Sequence, residues 1–187
     1  DAMTDNNQNI AIGGAALTTA DSGENYNIAI GYEAMKYANV AGIDYNVAIG
    51  NGALTGGTGE LQGNIAIGHL ALDASSGNSC TGKAAIGYHA GTAITSGTGQ
   101  TLVGYKAGNG IDDGASNTVI GYEAGLAMQG TTYCTVAGYR AWSNGTGSDG
   151  THNTIYGNQA HGQQANATGS YNTCLLYTSP SPRDRQK

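Results

Sequence analysis

Residues 27–35 read NIAIGYEAM, and the pattern returns as NVAIGNGAL at 46–54, NIAIGHLAL at 64–72, NTVIGYEAG at 117–125 and CTVAGYRAW at 134–142. Aligned on the glycine of this pattern, here called the repeat glycine, successive repeats are 17–19 residues apart. A period of about 18 residues is too short for helical repeats and suits one turn of a parallel β-solenoid. The sequence therefore predicts an all-β solenoid (β-helix or β-roll) of about nine coils. The repeat glycines are Gly13, Gly31, Gly50, Gly68, Gly87, Gly104, Gly121, Gly138 and Gly157.

Each repeat has fixed columns: an asparagine position, a strand triplet, the glycine, a frequent tyrosine and, third after the glycine, an alanine. Recurring asparagines predict a ladder of stacked amides. Side chains alternate along a strand, so the first and third triplet residues are predicted to face inward together with the tyrosine and the alanine. The interior would then hold an isoleucine column and a tyrosine ladder. These columns include Ile30, Ile49, Ile67, Ile86 and Ile120, and Tyr32, Tyr88, Tyr105, Tyr122 and Tyr139.

The same alternation predicts that the middle triplet residues face outward beside the glycines, as a flat apolar ribbon. If the repeat glycine is instead a corner, the alternation restarts there and a threonine column faces outward in the C-terminal half. Monomers seldom expose a long apolar surface, so either face is a candidate for ligand binding or for an interface. The candidate residues are Ala29, Ala48, Ala66, Ala85, Leu102, Val119, Val136 and Ile155, and Thr101, Thr118, Thr135 and Thr154.

Composition narrows the classes of partner. Charged residues make up 11% of the chain, against about 25% in an ordinary globular domain, and the net charge is −6. The chain has no basic stripe that could follow a nucleic-acid backbone, and no stretch approaches the roughly 20 apolar residues of a membrane span. Neither nucleic acid nor membrane is expected as a partner.

The repeat also sets the expected domain limits. Residues 1–7 form an N-terminal lead-in, residues 8–174 form the β-solenoid, and residues 175–187 form a tail without the repeat. The tail contains both prolines of the chain. It resembles translated sequencing-adapter sequence, and we expect it to be disordered or artefactual.

No enzymatic activity, metal or cofactor is predicted. The histidines fall in different coils without metal-ligand spacing, and no serine lies in a recognisable nucleophile motif. The cysteines lie at least two coils apart, beyond the roughly 7 Å between Cα atoms that a disulfide can span, so no intramolecular bridge is expected. These residues are His69, His89, His152 and His161, and Cys80, Cys134 and Cys174.

The pattern N-[IVT]-[AV]-I-G-Y-x-A resembles the repeats of phage tail fibres and of trimeric adhesin heads, over roughly residues 8–174. This resemblance implies parallel β-coils wound into a roll, and roles as spacer, adhesin or display scaffold. The low charge and the regular threonine and alanine columns are similar, more loosely, to β-solenoid antifreeze proteins. That similarity implies a rigid face that orders water, although the fully regular Thr-x-Thr face of insect antifreeze proteins is absent here.

Two functions follow from these observations. The first is a non-enzymatic ice-binding (antifreeze) protein that presents a flat face of small residues and threonine to ice or ordered water. The alternative is a structural fibre or adhesin segment, in which the same face joins copies of the chain into a homotrimer or meets a surface glycan. Both place the protein outside the cell, as a secreted or extracellular protein.

Overall fold

The computed structural model describes residues 8–18, 23–37, 42–55, 59–74, 80–126, 128–143, 150–160 and 169–175. Within these residues the regular elements are all β-strands, with no helix. The predicted lead-in at 1–7 lies outside the described residues. So does the predicted tail, except for Leu175, which ends the last strand.

Ten strands form one parallel sheet, and two shorter strands form a second sheet. Coils are numbered here by their strand in the large sheet, so that coil 1 contains the first strand and coil 10 the last. The large sheet contains β1 (Ile10–Ile12), β2 (Ile28–Ile30), β3 (Val47–Ile49), β5 (Ile65–Ile67), β7 (Ala84–Ile86), β8 (Thr101–Val103), β9 (Thr118–Ile120), β10 (Thr135–Ala137), β11 (Thr154–Tyr156) and β12 (Thr173–Leu175). The small sheet contains β4 (Leu61–Gln62) and β6 (Cys80–Thr81).

Equivalent residues of successive repeats pair with one another along the large sheet. Ala29 pairs with Ala48, Ala48 with Ala66, and Ala66 with Ala85. This one-repeat register continues to the last strand, where Ile155 pairs with Cys174. The parallel β-solenoid and its coil length are thereby confirmed. At about 4.8 Å per coil, nine steps give a sheet on the order of 40 Å long.

Each strand of the large sheet from β1 to β11 ends in a corner at the repeat glycine. The φ angle is +136° at Gly31 and +139° at Gly50, a conformation that residues with a side chain rarely adopt. A Cβ atom on Gly31 would also overlap the carbonyl group of Gly50 in the next coil. The amide of Ala34 then donates to the carbonyl of Gly31 at 3.4 Å, while Glu33 takes a left-handed conformation at φ +57°. The extended backbone therefore stops at the glycine, and the alternation of faces stops with it.

The middle residues of the strand triplets point into the coil, so the prediction that they form an outward ribbon is wrong. It assumed that strand alternation passes through the glycine, whereas the corner restarts it. The third residues after the repeat glycine are buried alanines opposite them, which leaves an interior too narrow for isoleucine and tyrosine columns. The buried middle residues are Ala29, Ala48, Ala66, Ala85, Leu102, Val119, Val136 and Ile155, each at most 2% exposed.

In coils 2–4, 6 and 7 the size of the middle residue is matched by the fourth residue after the repeat glycine. In coils 2–4 the middle residue is alanine, and the fourth position holds a large buried side chain such as Leu54 or Leu72. In coil 6 the middle residue is Leu102 and the fourth position is Gly108. A Cβ atom on that glycine would lie 2.6 Å from Cδ2 of Leu102. In these coils a small residue at one position is accompanied by a large residue at the other or by a neighbouring side chain such as Ile111.

The predicted amide ladder is confirmed, but it lies inside the coil. The side-chain amide of Asn46 donates to Oδ1 of Asn27 at 3.0 Å and to the carbonyl of Leu61 at 2.7 Å. In turn, Oδ1 of Asn46 accepts the backbone amide of Asn64 at 2.9 Å. Each asparagine thus satisfies backbone groups at the entrance to the next strand, where unpaired buried groups would be costly.

Candidate interaction face

The first and third residues of the strand triplets point outward and form one continuous surface, here called the strand face. Ile12 is 58% exposed, and Ile65, Ile86 and Ile120 are each 39–44% exposed. The strands are in register, so the side chains form a regular grid with a spacing of about 4.8 Å along the sheet. The first residues are Ile10, Ile28, Val47, Ile65, Ala84, Thr101, Thr118, Thr135, Thr154 and Thr173, and the third are Ile12, Ile30, Ile49, Ile67, Ile86, Val103, Ile120, Ala137, Tyr156 and Leu175.

The strand face contains some residues that the sequence predicts to face outward and others that it predicts to face inward. The isoleucine column that was predicted to be interior (Ile30, Ile49, Ile67, Ile86 and Ile120) lies on this outer surface, so that prediction is wrong. The threonines Thr101, Thr118, Thr135 and Thr154 also lie on it, as the alternative with a glycine corner predicts. The face therefore combines four residues from the candidate set with aliphatic columns that strand alternation predicts to lie inside.

A sequence signal for the correct orientation does exist. The middle column contains only Ala, Leu, Val and Ile from Ala11 to Ile155, whereas the first column changes to threonine and the third ends in Tyr156 and Leu175. A column that never accepts a polar group is the better candidate for a core. The close approach of Gly108 to Leu102 points the same way.

The chemistry of the strand face changes halfway along the solenoid. In coils 1–4 both columns are aliphatic, whereas from coil 6 onward the first column is threonine in every coil. Threonine pairs with threonine at each of these steps, from Thr101 with Thr118 to Thr154 with Thr173. The N-terminal part is thus a purely apolar surface, and the C-terminal part alternates hydroxyl-bearing and mostly apolar columns.

Stacked aromatic rings occur at two sequence positions, one before and one after the strand triplet. The rings that follow the repeat glycine stack at 4.9–5.4 Å between centroids, with interplanar angles of 8–13°. A second column precedes the asparagine position, where Tyr26 stacks on Tyr45 at 5.0 Å. The first column contains His69, Tyr88, Tyr105, Tyr122 and Tyr139.

The prediction that the tyrosines form an interior ladder is wrong, because Tyr32, Tyr88 and Tyr122 are 45–56% exposed. The stacked arrangement itself is present, on the outside of the coil. Within each ladder the ring faces cover one another. The edges and hydroxyl groups therefore remain for contact with a partner, and little ring face is left for a sugar to stack on.

Charged groups lie away from the strand face, since none of its residues is ionisable except Tyr156. Lys36 pairs with Glu33 at 2.7 Å, and Arg140 with Glu123 at 3.3 Å, both in the turns after the repeat glycine. The hydrogen bond from Lys36 lowers the pKa of Glu33. A surface of ten parallel strands without formal charge is suited to contact with another apolar or neutral surface.

The remaining candidate chemistry is sparse. Within the described residues no group of three or more His, Cys, Asp or Glu side chains could hold a metal ion. Cys134 is buried and Cys174 half-buried, and both are free thiols. The side chain of Cys80 and all of His161 lie outside the described residues. The described part of the chain also contains no long apolar helix of the kind that crosses a membrane.

Comparison with family models, with curated proteins and with solved structures gives no match to this chain. The geometry of the strand face is therefore the basis for assigning a function.

Proposed function

We propose that this chain is a structural segment of an extracellular fibre or adhesin, and that its copies associate through the strand face as a homotrimer. The observation that carries the proposal is the pair of outward aliphatic columns in coils 1–4, from Ile10 to Ile67. Their side chains are half-buried or exposed in the single chain. Soluble monomers rarely leave so regular an apolar surface in water.

The size of the strand face is adequate for a stable interface. Ten strands of three residues, at about 4.8 Å between strands and about 3.3 Å per residue, cover on the order of 500 Å². The exposed rings that follow the repeat glycine extend this surface toward the roughly 800 Å² that each partner contributes to an interface of standard size. Burial at about 25 cal/mol per Å² would then favour association strongly.

The shape and chemistry of the face also suit self-association. Its strands are short and in register, and its residues carry no formal charge that would have to be desolvated. Exposed tyrosines, a residue type enriched at protein interfaces, follow its strands in sequence at Tyr32, Tyr88, Tyr122 and Tyr139. The resemblance of the repeat to tail-fibre and adhesin-head repeats supports three copies, an extracellular location and a structural or adhesive role.

Two neighbouring residues of β5 allow a matched test. Ile67 lies on the strand face, whereas Ala66 is fully buried. We expect Ile67→Lys to retain the β-sheet circular dichroism spectrum and to convert the oligomer to monomer in size-exclusion chromatography with light scattering. Ala66→Lys should instead unfold the coil, because an unpaired charge inside an apolar core is strongly unfavourable.

The parent protein must first be an oligomer in the same measurement. A parent that is monomeric at high concentration would refute the proposal, as would an Ile67→Lys variant that assembles like the parent. A trimer in the parent and a folded monomer in the variant would support it.

Ice binding is the second candidate, and the threonine column favours it. Five outward threonines are spaced by one coil each in an uncharged, in-register sheet, an array that would order water in a regular lattice. Coils 6–10 would then act as the ice-binding surface. The buried middle column, from Ala29 to Ile155, takes no part in this candidate function.

Thermal hysteresis and ice-crystal shaping test this candidate. If ice is the ligand, Thr118→Lys should abolish hysteresis with an unchanged melting temperature, while Ala29→Gly, inside the coil, should change only stability. A monomeric parent with hysteresis would replace the fibre proposal by ice binding, and a trimeric parent without hysteresis would exclude ice binding.

A further inference from the structure

A column of side-chain rings is interrupted in the middle of the solenoid. The position two residues before each strand of the large sheet, here called the ring position, has a left-handed backbone in every coil, with φ between +56° and +67°. Aromatic rings occupy it in coils 2–3 and 8–10. Between them stand Gly63, Gly82, Gly99 and Ser116, one in each of coils 4–7. The backbone continues unchanged through these four coils while the rings are missing, and the space left by the rings is here called the ring gap.

Tyr45 has one covered ring face and one open ring face. Its ring stacks on that of Tyr26 at 5.0 Å between centroids and 6° between planes. On the other side the next coil has Gly63, where an added Cβ atom would meet nothing within 4 Å, and the same holds for Gly82 one coil further on. Tyr45 is accordingly 61% exposed, against 45% for Tyr26. The ring gap therefore begins at an open aromatic face.

The ring gap is long enough for a flat six-membered ring. Coils are about 4.8 Å apart, so Gly63 and Gly82 leave two successive ring positions empty beyond Tyr45. A Cβ atom added to Gly99 would lie 3.5 Å from Oγ of Ser116, where side chains fill the column again. From Tyr45 to Ser116 the gap covers four coil steps, on the order of 19 Å. A ring can thus stack on Tyr45 without displacing protein atoms.

Uncharged polar side chains accompany the ring gap. Gln62 directly precedes Gly63, Thr81 directly precedes Gly82, and both side chains are exposed. The two residues are paired in adjacent coils of the small sheet, and the exposed Thr98 stands at the same place in the next coil. Amide and hydroxyl groups both donate and accept hydrogen bonds. The hydroxyl groups of a sugar do the same, so this row matches a sugar chemically.

The charges near the ring gap do not suit an anionic ligand. The residue before the open ring is Asp44, whose Oδ1 accepts the backbone amide of Asn25 at 2.7 Å. Lys83 lies in coil 5, but it is only 1% exposed and its ammonium group donates to the carbonyl of Ser96 at 3.3 Å. A carboxylate at one end and a lysine that is enclosed by the coil favour a neutral ligand over a nucleotide or a sulfated sugar.

We propose that Tyr45 and the ring gap bind a neutral glycan, with one pyranose ring stacked on the open aromatic face and its hydroxyl groups hydrogen-bonded to Gln62 and Thr81. A glucopyranose ring with equatorial hydroxyl groups presents a flat face of C–H groups to the negative face of the tyrosine ring. The site contains no residue of the strand face. A monomeric parent would therefore refute the trimer without affecting this proposal.

Cellotetraose, an oligosaccharide of β-linked glucopyranose, is the probe. Its binding to the full chain is measured by isothermal titration calorimetry and by saturation-transfer difference NMR, with light scattering in the same buffer to record the oligomeric state. The parent should show saturable binding, with the strongest saturation transfer to the C–H protons of one ring face. N-acetyltyrosinamide is titrated in parallel, as a model of an aromatic side chain from another protein.

The repeat supplies matched substitutions. Tyr45→Ser removes the open ring and introduces the residue found at Ser116, whereas Gly63→Tyr fills the first empty ring position, where φ is +65° against +60° at Tyr45. Each should weaken cellotetraose binding by about tenfold or more, as the loss of one stacking contact does. Tyr122→Asn is the control, because this exposed ring lies between two stacked neighbours and Asn51 occupies the equivalent position. It should bind like the parent.

Absence of saturable cellotetraose binding by the parent would overturn the proposal. Equal binding by the parent and by Gly63→Tyr, with the same circular dichroism spectrum, would overturn it as well, because the ring position is then filled. An equal loss of binding in Tyr122→Asn would assign the sugar to the other aromatic column and not to Tyr45. Saturation by N-acetyltyrosinamide without binding of cellotetraose would replace the glycan by an aromatic side chain of another protein.

Discussion

Coils 2–4 and coils 6–7 fill the same interior in opposite ways. In coils 2–4 a middle alanine faces a large residue at the fourth position after the glycine, as with Ala66 and Leu72. In coils 6–7 a large middle residue faces a glycine, as with Leu102 and Gly108, and part of the space is filled by Ile111 from further along the coil. The comparison shows that a large residue at either position can fill this part of the interior.

The residues of the strand face also change between coils 4 and 6. No change at a second position accompanies them. The first strand column is aliphatic through Ile65 and threonine from Thr101, with Ala84 between them. These side chains point away from the core, so the packing of the coil does not dictate the change. We infer that the outer columns reflect contacts made by the protein, and that the inner columns reflect the volume of the coil.

The largest expected effect comes from breaking the core of coil 6. Leu102→Ala removes a fully buried side chain opposite Gly108 and leaves a cavity, so the free energy of unfolding should fall by roughly 2–5 kcal/mol. Urea denaturation followed by circular dichroism measures this. A loss below about 1 kcal/mol would mean that the coil collapses around the vacancy, contrary to a volume requirement.

The same coil can be rebuilt in the manner of coils 2–4. Adding Gly108→Leu to Leu102→Ala recreates the alanine and leucine pair of Ala66 and Leu72. Leucine tolerates the left-handed backbone required, since φ is +53° at Leu72 and +64° at Gly108. We expect the double variant to recover about half of the lost stability or more, because the cavity is refilled. In the parent background, Gly108→Leu alone should destabilise the protein through overlap with Leu102.

A smaller effect is expected where the amide ladder differs between the two regions. Asn46 continues the ladder in coil 3, whereas Cys134 interrupts it in coil 8, with Sγ 3.5 Å from the carbonyl of Gly150. Cys134→Asn should stabilise the protein by about 1 kcal/mol, since an amide makes stronger hydrogen bonds than a thiol. Asn46→Cys should destabilise it by more, because the backbone amide of Asn64 loses Oδ1 of Asn46 as acceptor. Thermal unfolding measures both effects: the melting temperature should rise in Cys134→Asn and fall in Asn46→Cys.

The repeat period was sufficient to predict the class of fold, the strands and their register. Spacings of 17–19 residues placed Ile28 beside Val47 and Thr118 beside Thr135, as observed. The orientation of the strand was not predictable from alternation alone, because a single backbone angle at the repeat glycine decides it. With φ near +136° at Gly31, the residues before and after the corner no longer share one pattern of faces.

The candidate site was therefore predicted only in part. The alternation rule offers the threonines as an alternative, but it assigns to the interior the aliphatic columns that complete the strand face. Contacts between the turns of neighbouring coils also cannot be predicted from a single repeat. His69 and His89 are 20 residues apart at different positions of their repeats, and only the stacking of coils brings their rings to 5.3 Å.

Exchanging residues on the outer surface should affect assembly more than folding. Ile65→Thr gives coil 4 the chemistry of the C-terminal part, and Thr118→Ile gives coil 7 that of the N-terminal part. Each should change the stability of the monomer by no more than about 0.5 kcal/mol, as is usual for exposed positions. If the strand face is the oligomer interface, Ile65→Thr should shift the light-scattering mass at low concentration toward monomer. An unchanged mass in Ile65→Thr would argue against the interface.

The smallest expected effect concerns the two described thiols. Burial raises the pKa of Cys134, whereas Cys174 is half-buried near the end of the sheet. The thiolate is the reactive form, so in a Cys80→Ser background Cys134 should react with maleimide at pH 8 at least about tenfold more slowly than Cys174.

Because its pKa is raised in the folded state, Cys134 contributes stability that is present below the ordinary pKa of 9.0 and is lost as the pH rises above it. Cys134→Ala should remove this alkaline loss, and mass spectrometry of the labelled peptides distinguishes the two sites. Equal labelling of both cysteines would show that coil 8 opens readily, and that its core is less tightly closed than those of coils 2–4.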